Sequence, residues 1–234
     1  VKKRIQTIYE LLLDSFGSQK WWPAETPFEV IVGAILTQQT SWKNVEKAIR
    51  NLKRNGLLSP FSLYALPIEA LKSQIRPSGF YNVKAERLKN FLKVFVEEFN
   101  GKIDNLKKED KEKLRIKLLK IKGLGRETVD SILLYALDKE VFVVDAYTFR
   151  IFKRDGIIDS ENYEEVRSLV EENLSEKGTE TLSKFKEMHA LLVELGKKFC
   201  KKVPQCNRCP LKKIRAKKGV EDEFSRDKKV FNLR

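Results

Sequence analysis

The stretch Leu118-Leu119-Lys120-Ile121-Lys122-Gly123-Leu124-Gly125-Arg126-Glu127-Thr128-Val129 decides how the chain folds. Apolar residues at helical spacing lead into it (Leu114, Ile116, Leu118, Leu119, Ile121) and continue from Val129 to Ala136, so two helices flank a tight Gly-Leu-Gly turn. Glycine on both sides of the turn lets backbone N–H groups approach a phosphate unobstructed, and the second helix presents its positive end to the same anion. Taken alone, the turn reads first as a plain helix–helix connection with a glycine cap, because a single Gly-x-Gly carries little specificity.

The pattern on either side is helical nearly throughout. Ile5, Ile8, Leu11, Leu12 and Phe16 share one helical face, closed by Gly17. Trp21-Trp22-Pro23 precedes an apolar run from Phe28 to Leu36. The polar Thr37-Gln38-Gln39-Thr40-Ser41 then leads into Val45, Ala48, Ile49 and Leu52 at helix period. Further helices are predicted over about 85–99, closed by Asn100-Gly101, and over 146–153, 163–174 and 181–199. The run Val141-Phe142-Val143-Val144 has no partner strand and reads as an extended connector. The expected fold class is all-α.

Composition restricts the chemistry. The 234 residues carry 47 Lys and Arg against 33 Asp and Glu, a formal net charge of +14, which points to a polyanionic partner. The excess is uneven: from Lys197 to Arg234, 14 basic residues face 4 acidic ones, or +10 in 38 residues. No apolar run approaches ~18 residues, so no transmembrane helix is expected, and no export signal is evident. The chain therefore reads as cytoplasmic, or nucleoid-associated in a bacterium or archaeon. With one histidine, His189, sites needing two imidazoles are excluded. His189 itself reads as a structural or hydrogen-bonding residue. Cys200, Cys206 and Cys209 are an odd set, which argues against a disulfide framework.

Asp145 follows the apolar run and opens a helical stretch, where a carboxylate serves equally as a helix cap. The hairpin, the Val144-Asp145 pair and the cysteine cluster together resemble the helix-hairpin-helix (HhH-GPD) DNA glycosylase superfamily, the endonuclease III-like proteins. The resemblance covers roughly Phe28 to Cys209, with its parts in the family's order. It implies that Asp145 is the catalytic carboxylate and that Gly123, Leu124, Gly125 and Arg126 bind the DNA backbone, with a monovalent cation at the hairpin. Leu36-Thr37-Gln38-Gln39-Thr40 resembles the segment that fills the gap left by an extruded nucleotide, with Gln39 as the filler. Gly79-Phe80-Tyr81-Asn82-x-Lys84-Ala85 resembles the loop that wedges an apolar side chain into the duplex, with Phe80 as the wedge. Extruding a base costs unstacking and unpairing, which such insertions offset.

Bifunctional members of the superfamily carry a lysine in the second hairpin helix, whose amine forms a Schiff base with the sugar. The matching position is Glu127, so lyase activity is expected to be absent or weak. Trp-Trp-Pro, Leu-Thr-Gln and Arg76-Pro77-Ser78-Gly79-Phe80-Tyr81-Asn82 look most like the bacterial 3-methyladenine DNA glycosylase branch. That likeness implies a base pocket of Trp21, Trp22, Pro23 and Trp42. An N-alkylated purine is cationic, and electron-rich indoles favour it by stacking and cation–π attraction.

The segment Cys200-x5-Cys206-x2-Cys209 resembles the endonuclease III iron–sulfur loop, but the fourth cysteine would fall near Arg215, where none exists. A [4Fe–4S] cluster takes four ligands. A bound iron–sulfur cluster, another metal and an apo loop all remain open at this point. The resemblance implies a two-lobed fold with a cleft between the lobes. Its helical barrel would span residues 24–134, with the hairpin at about 114–137. A second lobe would comprise 1–23 and 135–215, with the cysteine loop at 200–209, followed by a basic tail at 216–234. The expected activity is monofunctional release of damaged bases, alkylated purines favoured, from duplex DNA by a monomer without a membrane partner. Two alternatives stay open: an endonuclease III-like glycosylase for oxidised or mismatched pyrimidines, and a non-catalytic helix-hairpin-helix DNA-binding protein. The tail would supply salt-dependent grip.

Overall fold

A computed structural model describes residues 1–176 and 180–215 of the chain, the side chain of 215 excepted; the expected basic tail lies outside the described residues. Helices run α1 (Lys2–Phe16), α2 (Pro27–Leu36), α3 (Trp42–Arg54), α4 (Pro60–Ala65), α5 (Ile68–Ile75), α6 (Tyr81–Phe99), α7 (Ile103–Lys108), α8 (Lys111–Leu119), α9 (Arg126–Ser131), α10 (Ala146–Arg154), α11 (Tyr163–Leu174), α12 (Glu180–Lys198) and α13 (Lys212–Arg215). No strand occurs among the described residues. Residues 141–144 belong to no helix or strand and are buried.

The chain divides into two compact units, a central one of residues 22–143 and a terminal one formed by residues 1–21 with the chain from 144 onward. Residues 138–140 are tied back to α7, its C-terminal end and α8. Lys107 pairs with Asp138 at 2.6 Å, Lys139 donates to the Glu109 carbonyl at 2.7 Å, and Lys111 donates to the Glu140 carbonyl at 3.0 Å.

The central unit is built around α2. Phe28 to Leu36 are buried on every side, which explains why the run shows no polar face. Pro27 at its first turn and Thr26, whose hydroxyl accepts from the Glu29 amide at 3.1 Å, fix where it starts. α3, α6 and α9 pack around it. Phe28 stacks on Phe95 at 6.0 Å and Phe95 meets Phe91 at 5.4 Å. α6 begins at Tyr81, earlier than periodicity alone suggests, because Phe80 in a left-handed conformation turns the chain into the helix. α8 and α9 are joined by a buried bidentate pair, Arg115 Nε to Asp130 Oδ1 at 2.7 Å and Nη2 to Oδ2 at 3.0 Å. Beyond Ser131, α9 widens into a π turn over Ile132–Ala136.

In the terminal unit α1 packs on α11 and α12, and α10 packs on α12. Gly196 sets the second of these contacts. A Cβ there would lie 2.8 Å from Tyr147 Cγ, so only glycine lets α12 approach α10 this closely. Arg4 closes the unit with an ion pair to buried Asp155 at 2.8 Å.

Candidate active site

In the terminal unit Asp145 stands at the N-cap of α10. Its Oδ1 accepts from the Thr148 backbone N–H at 2.7 Å and from the Thr148 hydroxyl at 2.9 Å. The capping role weighed from sequence is therefore real, and it occupies one carboxylate oxygen. The other, Oδ2, lies 3.7 Å from His189 Nε2 on α12, a contact longer than an ordinary hydrogen bond. Both residues are buried. Burial pushes the Asp145 carboxyl up, but the imidazole and then the two Thr148 donors more than offset it and hold it below the ordinary carboxylate range. The result is a carboxylate kept ionised where little water reaches it. The Trp21 ring lies 5.6 Å from the His189 ring, and Lys197 Nζ sits 5.6 Å over the Trp21 ring.

The central unit gathers a second aromatic group. Trp22 and Trp42 meet edge to face at 5.4 Å, and Tyr135 from the π turn lies 5.4 Å from Trp22. Gly33 of α2 lies against both indoles, where a Cβ would stand 3.4 Å from each, at van der Waals contact. Trp21, Trp22 and Trp42 are half-buried and Pro23 is exposed. Tyr135 was not a sequence candidate, because it falls inside an apolar helical run and reads as core.

The hairpin belongs to the same unit. Gly123 adopts φ +97°, and a Cβ there would sit 3.0 Å from Arg87 Cδ and closer still to Cγ. Glycine is thus required twice over. Gln38 donates to the Gly123 carbonyl at 3.2 Å and to the Thr128 hydroxyl at 2.9 Å, and accepts from Arg87. This clasp joins the Gln38-Gln39 turn to the hairpin, and only the adjacency of Gln38 to Gln39 hinted at it. Leu124 anchors the turn in the core while Gly125, Arg126 and Glu127 are exposed.

Gln39 and Phe80 both hold left-handed backbone, at φ 53° and φ 47°, and both are exposed, Phe80 at 67%. A bulky residue at positive φ is unfavourable, and such strain persists only where the surroundings impose it. For Phe80 the surroundings include Lys84, buried, whose ammonium donates to the Ser78 carbonyl at 2.6 Å. Burial, reinforced by the nearby Arg87 charge, lowers the Lys84 pKa to about 8.

Residues 32–176 match the family described as HhH-GPD superfamily base excision DNA repair protein. The chain belongs to the HhH-GPD superfamily. Among HhH-GPD relatives, a Methanocaldococcus jannaschii protein provisionally described as a DNA repair glycosylase is 53% identical over 213 residues, 90% of this chain and 94% of the relative. Endonuclease III of Thermotoga maritima is 29% identical over 80% of this chain and 81% of its own length. The structure of the Helicobacter pylori 3-methyladenine DNA glycosylase MagIII, bound to 1,N6-ethenoadenine, is 32% identical. It superposes with a TM-score of 0.71 over 84% of this chain and 96% of that one.

One feature implied by the HhH-GPD resemblance fits poorly. Cys200 and Cys209 are buried and Cys206 is half-buried, but Cys200 Sγ takes an Arg154 N–H at 3.4 Å. The loop backbone is held by Arg150, donating to the Cys200 carbonyl at 2.7 Å, and by Arg154, donating to the Lys201 carbonyl at 2.6 Å. Among the described residues no group of three or more His, Cys, Asp or Glu is arranged to hold a metal. Three thiols in this setting do not fit a four-ligand iron–sulfur cluster. At the hairpin, the Lys122 and Gly123 carbonyls accept from Asn90 at 3.0 Å and Gln38 at 3.2 Å. Among the described residues no helix is long and apolar enough to cross a membrane.

Proposed function

We propose that this HhH-GPD glycosylase is monofunctional: it extrudes damaged bases from duplex DNA and removes them by hydrolysis, alkylated purines being favoured. The observation that carries the reading is the buried, ionised Asp145 with one oxygen fixed by Thr148. N-glycosidic cleavage breaks the C1′–N bond, its electron pair leaving with the base, and builds positive charge on the sugar. A desolvated carboxylate stabilises that charge far better than one in water. Water then adds at C1′, and its proton passes to the Asp145 carboxylate and on to solvent. A cationic alkylated base leaves as a neutral molecule, so one carboxylate without a strong general acid suffices.

Trp21, Trp22, Pro23 and Trp42 serve in this reading as base-recognition surfaces, and the H. pylori 3-methyladenine enzyme, at 32% identity, supports the alkylated class. Gln39 and Phe80 fill and wedge the duplex, and their exposed, strained backbone suits insertion. Gly123, Leu124, Gly125 and Arg126 grip the phosphates. Glu127 cannot form an imine, and its charge suits the first turn of α9. A second reading, a glycosylase for oxidised or mismatched pyrimidines, draws on one contact: Lys197 already places a cation over Trp21, which suits a neutral base better than a charged one. Single-turnover release from 3-methyladenine and thymine-glycol duplexes, assayed side by side, is the test. Faster release of 3-methyladenine is expected; faster release of thymine glycol selects the second reading.

A further inference from the structure

We propose that His189 is a positioning residue for Asp145, holding the carboxylate oxygen that Thr148 leaves open. The inference rests on the reading of Asp145 as the reacting carboxylate. Thr148 uses Oδ1 twice, through its amide and its hydroxyl, so the chemistry falls to Oδ2. His189 Nε2 approaches that atom, at 3.7 Å, from a different helix.

The imidazole is itself restrained. It is buried on α12, which is seated against α10 at the close approach Gly196 permits, and the Trp21 ring lies 5.6 Å away at a 46° tilt. The neighbouring ionisable groups are engaged with other partners. Lys197 lies over Trp21, Glu187 accepts from the Gln19 amide at 2.7 Å, and Tyr163 accepts from the Val144 amide at 3.3 Å. A core histidine with a purely structural task could be satisfied by any carbonyl. Here the ring nitrogen meets the one carboxylate oxygen that must be both ionised and aimed.

An N–H dipole or a positive charge at Nε2 favours ionised Asp145, so the carboxylate survives to lower pH than burial alone would allow. His189→Phe fills similar core space without a nitrogen, and His189→Gln restores a donor of similar reach. For His189→Phe we expect the acid limb of the single-turnover rate to move up by about one pH unit, with a roughly tenfold slower plateau. Affinity for an abasic-analogue duplex should stay within about twofold. His189→Gln should recover most of both losses. A 13C titration of the Asp145 carboxyl in the full-length variants reads the same shift without requiring activity. An acid limb and carboxyl titration unmoved in His189→Phe would overturn the proposal, as would His189→Gln behaving like His189→Phe. Asp145→Asn, run in parallel, separates the two ideas: if it retains full activity the reading of Asp145 fails, whereas a dead Asp145→Asn with unaltered His189→Phe sinks only the positioning role.

Discussion

Gly123→Ala and Gly125→Ala, two residues apart in one turn, should fail in opposite ways. At Gly123 the backbone sits at φ +97°, and holding an alanine in such left-handed geometry costs about 1–2 kcal/mol. The new Cβ would also land against Arg87 Cγ and Cδ, displacing the guanidinium that Gln38 accepts from. A charge-assisted hydrogen bond is worth about 1.5–3 kcal/mol, and Arg87 is half-buried, so the lower end applies. The total is about 3 kcal/mol, enough to lower a urea midpoint clearly in a two-state melt. At Gly125 the backbone is extended at φ −91°, nothing lies within 4 Å of a Cβ, and the residue caps α9. Alanine is a poorer cap, so the loss should be about 1 kcal/mol or less. If the hairpin amides grip phosphate as proposed, the added methyl would obstruct them, so duplex affinity should fall while stability holds. Urea denaturation and equilibrium DNA binding on both variants are the assay. Gly123→Ala within about 1 kcal/mol of the parent, or Gly125→Ala binding duplex normally, would refute this account of the turn.

Arg115→Met leaves Asp130 buried without its bidentate partner and should cost about 3–5 kcal/mol by denaturation. Lys84 carries the opposite sign of pH effect from a lysine held in a stabilising ion pair. Its folded pKa of about 8 lies below the unfolded value of about 10.4, so the unfolded chain binds more protons in between. Stability relative to Lys84→Met should therefore rise from pH 8 upward, by at most about 3 kcal/mol; a flat difference across that window would contradict it. Borohydride added during turnover should trap no covalent DNA adduct, because Glu127 has no amine; a trapped adduct would overturn the monofunctional reading.

Much of this was legible in the sequence because it was local. The faces of α1 and α3, the Gly-Leu-Gly turn and the junction at Asp145 each lie within a few consecutive residues, and one-dimensional periodicity reports them. The short α4, α5 and α7 span too few turns for a period to register. The clasp of Gln38, the pair Arg115–Asp130 and the approach of His189 to Asp145 join residues far apart in the chain. Each of these side chains looks ordinary in its own window, and only the packing of helices gives it a partner. His189 shows the point most clearly. As the chain's single histidine it read as structural, and its burial agrees, yet the atom it meets is the open oxygen of the candidate carboxylate.

The measurement that tests the account most directly is single-turnover base release from a duplex bearing one 3-methyladenine, comparing the parent chain with Asp145→Asn. Asparagine is as good a helix cap as aspartate, so α10 and its hydrogen bond to Thr148 should persist and the melting temperature should barely move. Only the negative charge that the proposal sets beside the sugar is lost. The account predicts prompt release by the parent and release at least about 100-fold slower by Asp145→Asn, with duplex binding retained. Equal rates for the two chains, or no release by the parent from methylated or oxidised duplex, would contradict it.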